Sequence, residues 1–252
     1  MAQQHAQQHA QQQHAQPPAC ANEGNSCFLN ASYQLLRRWG RTDDDVREWR
    51  ARKLPRAWRD GRQHDAHEVL LAMLAQLPAP EESGELQSVI RCGATDEASR
   101  VSESFDILSL PVAPSLQLAV ERFCHESEEL RGANVWRSPQ AQRLRVTPVR
   151  SWKSMDITRW PRRGVVFHFK RFGNSGDKIA DDIALPATWH DMQLVGVVRH
   201  HGTYRSGHYT ALIHTNQWYL CDDSTIVPSG LSARDAYLAL YVPAGGAKNV
   251  RT

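Results

Sequence analysis

The chain has 252 residues, 41% of them hydrophobic and 23% charged, with a formal charge of +3. These are ordinary values for a soluble globular protein long enough to bury a proper core. No apolar run approaches the ~20 residues of a membrane span and no signal-peptide pattern opens the chain, so neither a membrane span nor secretion is expected. Five scattered cysteines (Cys20, Cys27, Cys92, Cys124, Cys221) without a single Cys-x-x-Cys pair exclude a disulfide framework and a zinc ribbon, and fit a reducing, intracellular compartment, cytoplasm or nucleus.

Residues 1–18 are Gln/His/Ala repeats ending in Pro17-Pro18. This composition buries too little apolar surface to order itself, so a disordered tail is predicted. Its His5, His9 and His14 read as spacer rather than metal ligands. A Gly/Asn/Ser loop, Asn22 to Ser26, then runs into an amphipathic helix. Phe28, Leu29, Leu35, Leu36 and Trp39 recur at helical intervals, and Gly40 stops the run. Ser26 is the predicted N-cap, which puts the Cys27 sulfur in the first turn. Unpaired N–H groups and the helix dipole favour the thiolate there.

From Arg37 to Arg62 there are ten Lys/Arg against five Asp/Glu. With no recognition motif beside it, this charge reads as a solvated helical face around Trp49, Leu54 and Trp58, not as a nucleic-acid interface. Asp65–Leu77 is predicted helical, with Ala66, Val69, Leu70, Met73, Leu74 and Leu77 in one apolar stripe. Residues 78–84 are a linker. Strands are predicted at Leu86–Cys92, Phe105–Val112 and Leu144–Val149, with a short helix around Leu116–Phe123. From Gly164 onward they dominate: Val165–Phe169, Gln193–Arg199, Tyr209–His214, Trp218–Cys221 and Tyr237–Val242. Helices first and an antiparallel sheet afterwards define the α+β class. Residues 244–252 are a loose tail.

A reactive Cys27 needs a base. His208 stands in Ser206-Gly207-His208-Tyr209, where a glycine loop becomes a strand, and a following strand ends in Asp222-Asp223. Two adjacent strands would return Asp222 to His208, where a carboxylate fixes the imidazole tautomer and leaves the other nitrogen for a nucleophile. Taken alone, Cys27 reads as a buried inert thiol. The loop-to-helix placement and the Gly-His-Tyr and Asp-Asp strands favour the reactive reading.

At these residues the chain resembles a known family. Asn22-Glu23-Gly24-Asn25-Ser26-Cys27-Phe28-Leu29-Asn30 is similar to the cysteine box of ubiquitin-specific proteases. Gln63-His64-Asp65-Ala66-His67-Glu68-Val69-Leu70 is similar to their second motif, and Val165 through Phe172 to the strand before their blocking loops. Gly196 through Gly202 with Ser206-Gly207-His208-Tyr209 resembles the histidine box, and Trp218 through Ser224 the closing strand. Five blocks in order, spanning 22–224, carry the resemblance.

The resemblance implies a papain-like α+β domain over 19–243. Its helical thumb would take about 19–80, its reduced β fingers about 84–158 and its β-sheet palm about 160–243. It implies a monomeric, cofactor-free cysteine protease that cuts after the terminal Gly-Gly of ubiquitin or a ubiquitin-like protein. Cys27 would be the nucleophile, His208 the base, and Asp222 its orienting acid, with Asp223 able to share that task. Asn22 would donate to the oxyanion beside the Cys27 N–H. Asp65 and Glu68 would face the arginines of the modifier's tail, although Asp65 also reads as a helix cap. His200 matches the family and would be among the residues that meet substrate, and Tyr209 would be the aromatic that admits only glycines, or else a core aromatic. His64 and His67 lack a third ligand, so no metal is read there. Residues 203–206 and Gly173–Asp182 would be the loops over the tail channel. His168 and Phe172 read as core, His190 and His214 as surface.

The departure is in the fingers, where family members often carry zinc on two Cys-x-x-Cys pairs. Here only Cys92 stands in the first place and no cysteine near Val135–Pro139, so zinc is read as lost, with fingers that either stand on packing through Trp136 and Trp152 or are shorter than usual. A ubiquitin-binding scaffold without cleavage is the alternative function. A papain-fold acyltransferase using the same thioester is another.

Overall fold

The computed structural model describes residues 15–41, 43–75, 82–173 and 176–244. Most of the predicted disordered tail with its three histidines, Leu77 of the apolar stripe, linker positions 78–81 and the final 245–252 lie outside the described residues. The chain divides into two compact units, one of Met1–Pro78, Ile107–Leu116 and Arg163–Thr252, the other of Ala79–Asp106 and Gln117–Arg162.

The first unit opens with helices α1 (Cys27–Arg38), α2 (Asp43–Arg52) and α3 (Ala66–Leu74), with a 3-10 turn at Arg56–Arg59. The end of the N-terminal repeat is not loose: Pro17 is buried, and the Pro18 carbonyl accepts a hydrogen bond from Gln34 Nε2 at 2.6 Å. The second unit contributes β1 (Gly84–Cys92) and β2 (Ala98–Phe105). The chain then returns to the first unit as β3 (Ile107–Pro111). It leaves again through α4 (Leu116–His125), β4 (Glu128–Leu130), α5 (Pro139–Arg143) and β5 (Ser151–Arg159). Strands β6 (Val165–Lys170), β7 (Thr188–Trp189), β8 (Met192–Gly202), β9 (Gly207–His214), β10 (Trp218–Asp222), β11 (Thr225–Pro228) and β12 (Ala236–Pro243) complete the first unit.

Its sheet runs β11-β10-β9-β8-β12-β6-β3, with β7 beside β8. The sequence texture suggested antiparallel pairing throughout, but β3 lies parallel to β6, Ile107 opposite Val166 through Pro111 opposite Lys170. A parallel pair needs a long crossover, and residues 112–164 supply it. β6 and β12 are apolar almost without interruption because both faces are covered, with Val165, Val166, Phe167, Phe169 and Leu238 through Tyr241 all buried. Helix α1 seats Leu35 so closely on β8 that a Cβ at Gly196 would come within 2.6 Å of Leu35 Cδ1.

In the second unit the order is β2-β1-β5-β4, all antiparallel. The predicted strand Leu144–Val149 does not form. Leu144 closes α5, Arg145 sits at φ +53°, and Pro148 has no N–H to give a ladder. Strand β2 escaped prediction because Arg100 to Ser104 are all exposed and show no apolar alternation. Cys92 is buried with Ala141 and Val149, and Trp136 packs against them. Burial pushes the Cys92 thiol up. N–H groups of Ala94 and Ser138 and the hydroxyls of Thr95 and Ser138 outweigh that and bring it to about 7. One sulfur ringed by hydrogen-bond donors does not fit a structural zinc, which takes four Cys or His ligands.

Arg171, just past β6, is fully buried. Its guanidinium donates to the carbonyls of Ala236 (2.5 Å), Ile179 (2.9 Å) and Asp181 (2.9 Å), tying the segment after 176 to the sheet. Replacing it by methionine strands three carbonyls. Arg171→Met is expected to lower the unfolding free energy by about 3 kcal/mol, read from urea denaturation at unchanged m-value.

Candidate functional site

Two left-handed residues, Gly24 (φ +89°) and Asn25 (φ +53°), turn the chain into α1. Ser26 does not cap the helix with its side chain. Its Oγ accepts the Glu23 N–H at 2.9 Å and faces Asn22 Oδ1 at 3.4 Å, while its own N–H donates to Asn22 Oδ1 at 3.0 Å. The loop is therefore stitched to itself rather than to the helix. Asn25 Nδ2 donates to the Gly61 carbonyl at 2.8 Å, anchoring the loop to the segment before α3.

Cys27 is 2% exposed. The expectation of a lowered thiol is reversed: burial pushes the Cys27 thiol up. The Tyr209 backbone N–H lowers it, the Asp223 carboxylate raises it, and the N–H groups of Phe28 and Cys27 itself lower it, without reversing the balance. The helix end acts in the expected direction but loses to desolvation.

Tyr209 is the neighbour of His208, so a sulfur that feels the Tyr209 N–H belongs to the same end of β9 as the predicted base. His208 Nε2 is 2.6 Å from Asp222 Oδ1. With the carboxylate ionised, Nε2 carries the proton and Nδ1 is left as the acceptor. Asp222 closes β10, and Asp223 begins the two-residue turn into β11 at φ +49°. Its strained backbone goes with a fully used side chain. Oδ2 accepts from Asn22 Nδ2 and Oδ1 from Asn30 Nδ2, each at 2.8 Å, and its carbonyl accepts the Cys20 N–H at 2.9 Å. Ligand atoms of His208, Asp222 and Asp223 lie within 4.8 Å of one another. Asp222 Oδ1 is engaged by the imidazole and both Asp223 oxygens by the two asparagine amides, so the group works as a hydrogen-bond network.

The residues expected to meet substrate divide. Asp65 caps α3 through the His67 N–H at 2.7 Å and accepts the Tyr237 hydroxyl at 2.6 Å. Glu68 is exposed on the first turn of the same helix. His200, read as substrate-facing, is instead 5% exposed. It is packed against Tyr209 and Phe172, with burial driving its imidazole down to about 4. The Tyr209 ring is buried beside Tyr237, as a core aromatic would be. His168 stacks on His67 with centroids 3.8 Å apart, and burial brings it to about 3, so two neutral rings pack face to face. Sequence reading gave no role to Asn30 or Gln63. Asn30 was within reach, since one helical turn beyond Cys27 is the same face of α1.

The sequence pattern of the ubiquitin carboxyl-terminal hydrolase family matches residues 48–241. The chain belongs to this family. The match begins after Cys27, so the assignment of Asn22 and Cys27 depends on geometry. Ubiquitin carboxyl-terminal hydrolase 21 of Rattus norvegicus is 28% identical over 190 residues, 63% of this chain and 32% of that protein. Ubiquitin carboxyl-terminal hydrolase 23 of Arabidopsis thaliana is 28% identical over 235 residues, 76% of this chain and 27% of that protein. Ubiquitin carboxyl-terminal hydrolase 2 of Homo sapiens is 30% identical over 185 residues, 63% of this chain and 30% of that protein. The chain thus spans about a third of these relatives' length.

Among solved structures, the SAGA DUB module Ubp8/Sgf11/Sus1/Sgf73 bound to monoubiquitin matches with a TM-score of 0.70 at 19% identity, covering 93% of this chain and 71% of that one. The same module bound to ubiquitin aldehyde matches at 0.65 and 18%, covering 91% and 70%. The fold is that of a ubiquitin-specific protease catalytic domain, papain-like and of mixed helix and sheet. No described helix is long and apolar enough to cross a membrane.

A thiol held above its ordinary range and shielded from solvent alkylates slowly. Cys27 is expected to react with iodoacetamide more slowly than free cysteine at pH 7.5, with a rate still climbing above pH 9, as followed by mass spectrometry of the Cys27 peptide.

Proposed function

We propose that this chain is a thiol-dependent deubiquitinase, cleaving the bond after the C-terminal Gly-Gly of ubiquitin or a ubiquitin-like protein. The observation that carries the reading is the 2.6 Å contact between His208 and Asp222 on two adjacent strand ends, with the N–H of the very next residue, Tyr209, acting on the Cys27 thiol. The solved neighbours bound to ubiquitin and ubiquitin aldehyde support the choice of substrate.

In this reading His208 Nδ1 takes the Cys27 proton as sulfur attacks the scissile carbonyl, and Asp222 stabilises the imidazolium. The oxyanion is met by the Cys27 N–H and by the Asn22 Nδ2 proton not spent on Asp223. The C–N bond breaks as His208 returns its proton to the leaving amine. Water, deprotonated by the same imidazole, then hydrolyses the thioester and restores the thiol. The raised Cys27 thiol makes the base necessary, because a resting thiolate is disfavoured. Asp223 serves the oxyanion side, holding Asn22, while Asp222 serves the histidine. Asp65 has both oxygens occupied, so the exposed Glu68 is the better partner for the arginines of the modifier's tail.

The burial and raised thiol of Cys27 also favour a second reading, a scaffold that binds ubiquitin without cutting it. A C-terminally electrophilic ubiquitin probe separates the two. Wild type is expected to form a covalent adduct and Cys27→Ala none, with Asp222→Asn slowed by two or more orders of magnitude. Binding of ubiquitin by wild type without adduct or hydrolysis under reducing conditions would instead support the scaffold. Labelling of Cys27→Ala would sink the nucleophile assignment.

A further inference from the structure

Strand β9 outruns its neighbour β10. The β9–β10 ladder ends at Ala211 opposite Cys221, leaving Gly207 to Thr210 with no strand on that side, while β8 continues to pair them on the other. In an antiparallel strand alternate residues turn their N–H and C=O to the same neighbour. Gly207, Tyr209 and Ala211 therefore share the β10 side. Ala211 meets β10 itself, and the Tyr209 N–H acts on the Cys27 thiol. Gly207 is met by one side chain: Gln63 Nε2 donates to its carbonyl at 2.6 Å, and its N–H donates to Gln63 Oε1 at 2.9 Å. A primary amide presents a donor and an acceptor side by side, so it replaces a missing strand rung at this one residue.

The same short segment reaches the other catalytic loop. Gly61, two residues before Gln63, accepts Asn25 Nδ2 from the turn leading into Cys27. Gly61 to Gln63 thus spans from the nucleophile's loop to the residue immediately before His208. On the far side Gly207 cannot retreat or grow, since a Cβ there would lie 2.2 Å from His200 Nε2 and 2.7 Å from the His201 carbonyl. Gly207 is held between a buried imidazole and the Gln63 amide.

We propose that Gln63 is a positioning residue for the reaction under "Proposed function", on which this inference rests. By standing in for the missing rung at Gly207 it fixes the peptide entering His208, and with the Asn25–Gly61 bond it sets the spacing between sulfur and imidazole. It touches neither substrate nor reacting atoms, so its loss costs alignment and not binding. Gln63 is exposed, so its removal leaves the core intact.

The test is steady-state hydrolysis of a ubiquitin C-terminal fluorogenic amide by the full chain, alongside thermal melting. Gln63→Ala is expected to lower kcat by tenfold or more, with KM within about twofold and the melting temperature little changed. Gln63→Glu keeps the acceptor for the Gly207 N–H but sets a carboxylate against its carbonyl, and is expected to recover only part of the rate. Asn25→Gly keeps the left-handed backbone while cutting the other tie, and is expected to lower kcat in the same KM-neutral way. An active wild type with an unimpaired Gln63→Ala, or a variant whose loss lies in KM, overturns this role alone. An inert wild type overturns the protease reading and this role with it.

Discussion

A strand longer than its neighbour leaves main-chain donors and acceptors that something else must satisfy, because an unpaired peptide group near a protein interior is costly. In this chain that requirement falls on β9 just where His208 sits. Beyond the end of β10 the vacancy at Gly207 is met by Gln63, the Tyr209 N–H acts on the Cys27 thiol, and Asp222, the last residue of β10, takes the His208 imidazole. Early termination of one strand therefore leaves open the end of β9 where the His208 imidazole meets the Asp222 carboxylate. Thiol, imidazole and carboxylate each arrive on a rigid element: α1, β9 and the end of β10.

The electrostatics at Cys27 are a contest whose outcome follows from magnitudes. First-turn N–H groups and the Tyr209 N–H stabilise negative charge on sulfur, but each is a partial charge. Burial removes the full hydration of a thiolate, and Asp223 adds a nearby negative charge. The thiol ends above its ordinary value, so the neutral thiol is favoured over a thiolate there.

Much of this was legible beforehand, for identifiable reasons. The helices of the first unit carry apolar stripes, and α1 and α3 came within a few residues of their observed bounds. β6, β8, β9, β10 and β12 are apolar runs between turn residues and were found. The misses share a cause: their signal is not hydrophobic. β2 is polar along its exposed length, and β5 and β11 alternate only weakly. The parallel pairing of β3 depends on contacts separated by more than fifty residues, which no local pattern carries. Leu144–Val149 had the apolar residues of a strand but not the backbone, given Arg145 and Pro148. At the site, residue identities were readable while their partners were not. Ser26 had the composition of a cap yet spends its hydroxyl on Glu23 and Asn22. His200 fitted a motif yet lies beneath the surface.

The adjacent acids show why partners matter more than identities. Asp222 and Asp223 are the same residue type, one position apart, and from sequence either could orient His208. A strand turns successive side chains to opposite faces, but Asp223 has already left the strand, at φ +49°, and that single left-handed residue redirects its carboxylate. One acid faces the imidazole, and the other faces the amides of Asn22 and Asn30. The β9–β10 ladder ends at Ala211 opposite Cys221, and the turn at Asp223 carries the chain away into β11. The turn that separates the two carboxylates also uncovers Gly207 and Tyr209, so the division of labour between the acids and the vacancy filled by Gln63 have one origin.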